Sequence, residues 1–171
     1  MRIRLSPLIA GGIQEKGLRA GTHNVAGIIG MGVAAKTALG KLSERQKHLT
    51  KLRGMLIKGV LEKIPNCFLT GHSEKRLPGH ASFCIQYIEG EAMLLHLNMV
   101  GVAATSGSTC SSLALKVSHV LEAIGIEPVW AQGSLVFSLG IKNTQEDITY
   151  FLDELPMIVE ALRRLSPMVA K

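Results

Sequence analysis

Met99-Val100-Gly101-Val102-Ala103-Ala104-Thr105-Ser106-Gly107-Ser108-Thr109-Cys110-Ser111-Ser112 passes from an apolar segment into a run of small hydroxylated residues with one cysteine. An amphipathic helical pattern follows in Val117-Ser118-His119-Val120-Leu121-Glu122-Ala123-Ile124. Strand, polar loop and helix in so short a stretch point to a mixed chain of α and β elements. Small hydroxylated residues around Gly107 build no packed core and compete for backbone hydrogen bonds, so they read as a mobile loop. A cysteine there is either a sulfur placed to meet a reactant or an ordinary side chain in a strand-to-helix turn. The stretch alone leaves both readings open.

The 171 residues suffice for one large domain or one and a fraction, and an apolar share of 47% supports a true core. Aromatics make up only 4%, so that core must be aliphatic. Cys67, Cys84 and Cys110 form an odd, widely spaced set without a CxxC pair. This argues against a disulfide framework and against a metal site, and fits a reducing cytoplasm. No signal peptide is expected, because Met1-Arg2-Ile3-Arg4 runs straight into a strand-like segment. No apolar run approaches ~18 residues, so no membrane span is expected. The net charge is +6, with the basic residues scattered (Lys41, Arg45, Lys47, Lys51, Arg53, Lys58) and without an interleaved aromatic platform. A solvated helix face explains them better than a nucleic-acid partner.

Residues Ile3 to Ile9 alternate loosely and predict a strand, the last of something that begins earlier. The stretch from Gly11 to Asn24 is too glycine-rich to rest on side-chain packing, so its backbone takes positive φ angles or approaches a neighbour closely. Thr22 or Asn24 can cap the helix predicted over Val25 to Leu39. Glycine, Arg19 and Thr22 before a helix N-terminus suit an anion such as phosphate, although from the residues alone a capped turn that binds nothing is the preferred reading. Gly27, Gly30 and Gly32 within that helix point to close packing against another element.

A second helix is predicted over about Leu42 to Ile64, with Leu42, Leu49, Leu52, Leu56 and Ile64 on one stripe and a stop at Pro65. Strands follow at Cys67–Thr70 and Ser82–Ile88, separated by the charged loop Gly71 to Gly79. Glu89-Gly90-Glu91 opens a short helix with Met93, Leu94, Leu95 and Leu97 that ends near Gly101. Val102–Ala104 is predicted as a third strand, Ser118 to Gly125 as a helix and Gly133 to Leu139 as a fourth strand. Thr144-Gln145-Glu146-Asp147 matches a capping box with aspartate in place of glutamate, and Ile148, Phe151, Leu152, Leu155, Ile158, Val159, Leu162 and Leu165 keep helical spacing after it. Pro156 is expected to kink that helix. The order of elements describes an α+β fold with helices packed on a small sheet.

Three stretches resemble one family. They are Gly11 to Thr22, Thr105 to Ser112 with Cys110, and Phe137-Ser138-Leu139-Gly140 followed by Asn143-Thr144-Gln145-Glu146-Asp147-Ile148. In this order and spacing they are similar to the pyridoxal-phosphate-dependent cysteine desulfurases, the NifS/IscS-type enzymes of the class V aminotransferase superfamily. The resemblance runs from about Leu5 to Pro167. It implies the small C-terminal domain of a fold-type I enzyme, about Gly40 to Lys171, plus the end of the large cofactor domain over residues 1–39. It also implies that Cys110 is the nucleophile that takes sulfur from cysteine as a persulfide and leaves alanine, which suits a thiolate on a loop. Thr22 matches the threonine that contacts the phosphate of pyridoxal phosphate across the subunit interface of a homodimer.

The chain departs from the pattern in two places. None of its eleven lysines sits in the Ser-x-His-Lys context of the Schiff-base lysine; the nearest imitation, His72-Ser73-Glu74-Lys75, lies in a charged loop. Val136 stands where the family strand carries an arginine that holds the substrate carboxylate, and valine offers no donor. The chain alone is therefore expected to be inactive and to act as part of a desulfurase for iron–sulfur cluster assembly. The alternative is a sulfur-relay or dimerisation module without catalysis. A third reading is a relative acting on another amino acid. Expected partners are a homodimer mate or a complementary large-domain half, an iron–sulfur scaffold or other sulfur acceptor, and L-cysteine. A chain lacking its large domain is expected to expose an apolar patch and to bind through it. Cys67 and Cys84 read as buried small hydrophobes, and His96 and His119 as structural. His23, beside Thr22, is a weaker candidate for the phosphate.

Overall fold

Three short strands and six helices order the residues that the computed structural model describes, 4–106 and 117–166. They fall into two units, Met1–Leu42 and Ser43–Lys171.

In the first unit, Gln14–Gly17 forms a tight turn in which Glu15, Lys16 and Gly17 take successive φ values of 49°, 60° and 80°. The positive φ expected of this loop is present, and it extends to two residues with side chains. Asn24 caps α1 (Val25–Gly40), its Oδ1 accepting from the Gly27 amide at 3.0 Å. No residue of α1 is buried, and Ile28, Ile29, Met31, Val33 and Leu39 are all at least half exposed. A helix apolar on every side is normally enclosed. Nothing lies within 4 Å of where a Cβ would stand at Gly30 or Gly32, so the close packing expected there is not made among the described residues. The strand expected over Ile3 to Ile9 does not form: Arg4–Ile9 is irregular and exposed, and Pro7 lacks an amide donor.

The second unit is built on an antiparallel sheet in the order β1-β2-β3: β1 (Cys67–Leu69), β2 (His80–Ile85) and β3 (Ser134–Ser138). The register pairs Phe83 with Leu135 and Ala81 with Phe137, and with Ile85 these side chains form the inner face. That face packs on α2 (Leu42–Lys63) through Leu52, Leu56 and Val60, on α3 (Gly90–Met99) through Met93 and Leu97, and on α6 (Gln145–Leu165). Alternation turns Cys84, Ser82, Val136 and Ser134 to the outer face. One end of the outer face is covered by α4 (His119–Ala123) and α5 (Pro128–Ala131), where Leu121 and Ala131 pack on Cys84 and Phe68 meets Trp130 edge-on at 4.9 Å.

The α+β class is as expected, and the differences have local causes. Leu42, placed on the core stripe of α2, is exposed, and Val60 takes up the pattern instead. Val102–Ala104 is not a strand. Gly101 turns the chain at φ 75°, and the Val102 amide closes α3 on Leu97 O at 2.9 Å, which leaves no ladder donor there. Pairing with β3 begins only at Thr105. The sheet thus has three strands, and α5 is an element the sequence pattern did not reveal. Gly133 is required where α5 meets β3, because a Cβ there would stand 1.9 Å from Ile85 O.

The capping box of α6 is complete: Thr144 Oγ1 accepts from the Asp147 amide, and Asp147 Oδ2 accepts from the Thr144 amide at 3.1 Å. The helix continues through Pro156. Proline leaves the carbonyl four residues earlier without its helical donor, and Lys63 Nζ on α2 fills that place, donating to Leu152 O at 3.0 Å and to Asp153 Oδ1 at 2.8 Å. Lys63→Met is expected to lose about 1 kcal/mol in urea unfolding. In a Pro156→Ala background, where the amide returns, the loss should shrink to a few tenths. An equal loss in both backgrounds would refute this role for Lys63.

Candidate functional site

Polar side chains collect on the outer sheet face beyond the part that α4 and α5 cover. The register sets Ser82 opposite Val136 and His80 opposite Ser138, all on the face turned away from the core. Ser82 and Thr70 are buried there and satisfy each other: Thr70 Oγ1 donates to Ser82 Oγ at 2.7 Å and to Ser82 O at 3.1 Å. Burial, followed by the charge of Arg76, lowers the pKa of His80, with a backbone hydrogen bond opposing the shift. Val136 is half-buried and brings no hydrogen-bonding side chain to this face.

Val136 also pairs with Thr105, just before the segment that contains Cys110. Its amide donates to Thr105 O at 2.7 Å, and the Thr105 amide donates back to Val136 O at 3.1 Å. The next residue, Ser106, is buried beside Gly90, where a Cβ would stand 3.3 Å from Ser106 Cβ and 2.7 Å from Ser134 O. The Gly90 amide donates to Gln132 O at 2.8 Å. The N-terminus of α3, the start of β3 and the loop stem thus meet at a residue that must be glycine. Cys110 itself lies outside the described residues, as do its neighbours 107–116.

The other two cysteines are placed as small core residues. Cys84 is fully buried, and burial pushes its thiol up to about 11. Cys67 is half-buried; burial first, then Cys84, push its thiol up to about 12 against a lowering by Arg163. Neither suits a nucleophile at neutral pH. His96 Nδ1 lies 2.9 Å from Ala92 O within its own helix, as a structural residue would, and His119 is exposed. Among the described residues no group of three or more His, Cys, Asp or Glu could hold a metal ion, and no single helix is long and apolar enough to cross a membrane.

In the first unit Thr22 is exposed, between Gly21 at φ 84° and the Asn24 cap of α1. Arg19 Nη1 donates to the carbonyls of Ala20, Gly21 and Thr22 at 2.9, 2.9 and 3.0 Å, and His23 Nε2 sits 3.2 Å from Glu15 Oε1. These contacts fix the backbone on which Thr22 is presented. His80 and Ser82 went unnoticed in the sequence because their strand reads as apolar. Their signal is the alternation His80, Ser82, Cys84 against Ala81, Phe83, Ile85.

The model of the aminotransferase class-V family matches residues 12–151. A cysteine desulfurase of Gluconacetobacter diazotrophicus is 47% identical over 165 residues, covering 96% of this chain and 41% of its own length. The cysteine desulfurase NifS of Azotobacter vinelandii is 47% identical over 164 residues, again 96% of this chain and 41% of its own. Among solved structures, a NifS-like protein superposes with a TM-score of 0.78 at 35% identity, over 91% of this chain and 39% of the other. A NifS-like protein from Rickettsia africae gives 0.78 at 30% identity, over 92% and 41%. The chain therefore spans about two fifths of the length of the curated relatives it matches.

Native protein at pH 8 is expected to alkylate at Cys67 and Cys84 about a hundredfold or more slowly than the chain unfolded in guanidinium, because raised thiol pKa values leave little thiolate. Peptide mapping after iodoacetamide treatment measures this. Equal rates in both states would contradict the burial described here.

Proposed function

The chain belongs to the class-V aminotransferase family, and on that premise we propose that it is the C-terminal part of a pyridoxal-phosphate-dependent cysteine desulfurase, with Cys110 as the sulfur acceptor. The observation that carries the reading is the pair of hydrogen bonds between Thr105 and Val136. They support a reading in which the chain leading to Cys110 is tied to β3 at Thr105, beside the outer-face position 136. The overall reaction converts L-cysteine and the Cys110 thiol into alanine and a Cys110 persulfide. The thiolate sulfur bonds to the substrate sulfur, the substrate carbon–sulfur bond breaks, and the carbon takes a proton.

Thr22 and the N-terminus of α1 suit the phosphate of the cofactor: an exposed hydroxyl follows a positive-φ glycine and precedes a capped helix whose first amides face a monoester dianion favourably. Pyridoxal phosphate, when bound, supplies the electron sink that the reaction needs. The residues of this chain hold the phosphate and receive the sulfur; they offer no lysine in a Schiff-base setting. We therefore assign activity to an assembly, either a homodimer or a complex with a large-domain half, with a cytoplasmic iron–sulfur scaffold or other acceptor downstream. The exposed apolar surface of α1 supports association. Val136 favours a second reading, a sulfur-relay or dimerisation module, since without an arginine the substrate carboxylate loses a charge-assisted pair.

The test is alanine and sulfide formation from L-cysteine with pyridoxal phosphate, for this chain alone and mixed with the large-domain portion of a desulfurase. No turnover is expected alone. Turnover in the mixture should vanish in Cys110→Ala and improve about tenfold or more in KM in Val136→Arg. Silence in the mixture, together with transfer of labelled sulfur onto Cys110 from a separate desulfurase, would overturn the catalytic reading in favour of the relay.

A further inference from the structure

Three arginines of the second unit carry a buried N–H that bonds to nothing among the described residues: Nε of Arg45, Nε of Arg53 and Nη1 of Arg76. Two of them meet at the loop between β1 and β2. Arg53, on α2, donates from Nη1 to Leu77 O at 3.0 Å and Arg76 O at 3.4 Å. Arg76, in the loop, donates from Nη2 to Thr70 O at 2.6 Å and from Nε to His72 O at 2.8 Å. Both guanidiniums are thus pinned by neutral carbonyls, which fix their direction and leave their charge unmatched.

The ion pairs among the described residues involve His23, Lys58, Lys63 and Arg164 as cations, and neither Arg53 nor Arg76. Glu74, the only acid of the loop, is exposed and makes no ion pair among the described residues. Burial, followed by the charge of Arg53, lowers the pKa of Arg76, and Arg76 in turn contributes to lowering His80. Two like charges crowd together, partly withdrawn from water, with donors left over. Such an arrangement is unfavourable unless an acceptor of opposite charge completes it.

We propose that Arg53 and Arg76 form a binding site for a small oxyanion, a phosphate or a carboxylate, at the loop Gly71–Gly79. A planar guanidinium presents paired donors that match two oxygens of either group. Arg53 Nε and Arg76 Nη1 are the donors left for it. Both side chains are half-buried, but the two leftover N–H groups are themselves shielded from solvent, so an anion meets them only after the side chains shift. His72 Nδ1, which accepts from the amides of Glu74 and Lys75 at 3.0 and 3.1 Å, holds the loop in the form that presents Arg76. The site stands independently of the desulfurase reading.

The test is a titration of the whole chain with sodium phosphate, with sodium acetate, and with sodium chloride at matched ionic strength. It is followed by the Nε–H resonances of Arg53 and Arg76 and by the melting temperature. Saturable shifts of both resonances and a saturable rise in melting temperature are expected with phosphate or with acetate, and whichever saturates at lower concentration identifies the source. Arg76→Gln and Arg53→Gln should each weaken the apparent affinity about tenfold. Should a variant fail to fold, the resonances of the unsubstituted chain decide alone. Shifts that are absent, or that chloride reproduces, would overturn the proposal.

Discussion

The antiparallel pairing of β2 with β3 is the constraint on which the rest of the second unit depends. Its register puts Phe83 against Leu135 and Ala81 against Phe137 on one face, and it forces Ser82, Val136 and Ser134 onto the other. A slip of one residue would exchange the faces, placing serines in an aliphatic core and phenylalanines on the surface. The inner face gathers α2, α3 and α6 into one core. The outer face is covered at the Cys84 end by α4 and α5, and Val136 lies half-buried on the rest of it. Position 136 belongs at once to the β2–β3 ladder, to the outer face and to the bridge with Thr105.

Glycine and proline set the limits of this scheme. Gly133 lets α5 run directly into β3 against Ile85 O, and Gly90 lets the N-terminus of α3 close on Ser134 O and Ser106. Pro156 interrupts the hydrogen bonding of α6, and Lys63 repairs the gap from α2. Each is a local exception to helix or strand rules that a tertiary contact absorbs. The arginines at the β1–β2 loop differ from these exceptions, since nothing among the described residues completes them.

Much of this was legible in the sequence. The long periodic pattern from Ile148 to Leu162 and the Thr144–Asp147 cap specified α6, because an amphipathic repeat over many turns has one solution. Cys84 as a buried small residue was legible from its apolar strand. Elements whose fate rests on long-range contacts were not. Val102–Ala104 has strand composition, yet the Val102 amide is spent on closing α3, and short apolar segments carry no record of where their donors go. Pro128–Ala131 is too short to show a period. Ile3 to Ile9 alternates, but alternation without a paired neighbour does not make a strand. At the site, the roles proposed for Cys110, Thr22 and Val136 rest on resemblance, whereas the placing of His80 and Ser82 on one face emerged only once the register was known.

Thr105 and Val136 tie the chain that leads to Cys110 onto β3. Amide hydrogen exchange at Thr105 and Val136 tests it most directly. Both donate into the bridge, at 3.1 and 2.7 Å, so their protection should match that of the core amides of β2. Exchange at the rate of an open loop at either amide would contradict the account, since Val136 would then be an edge residue with no bearing on the cysteine.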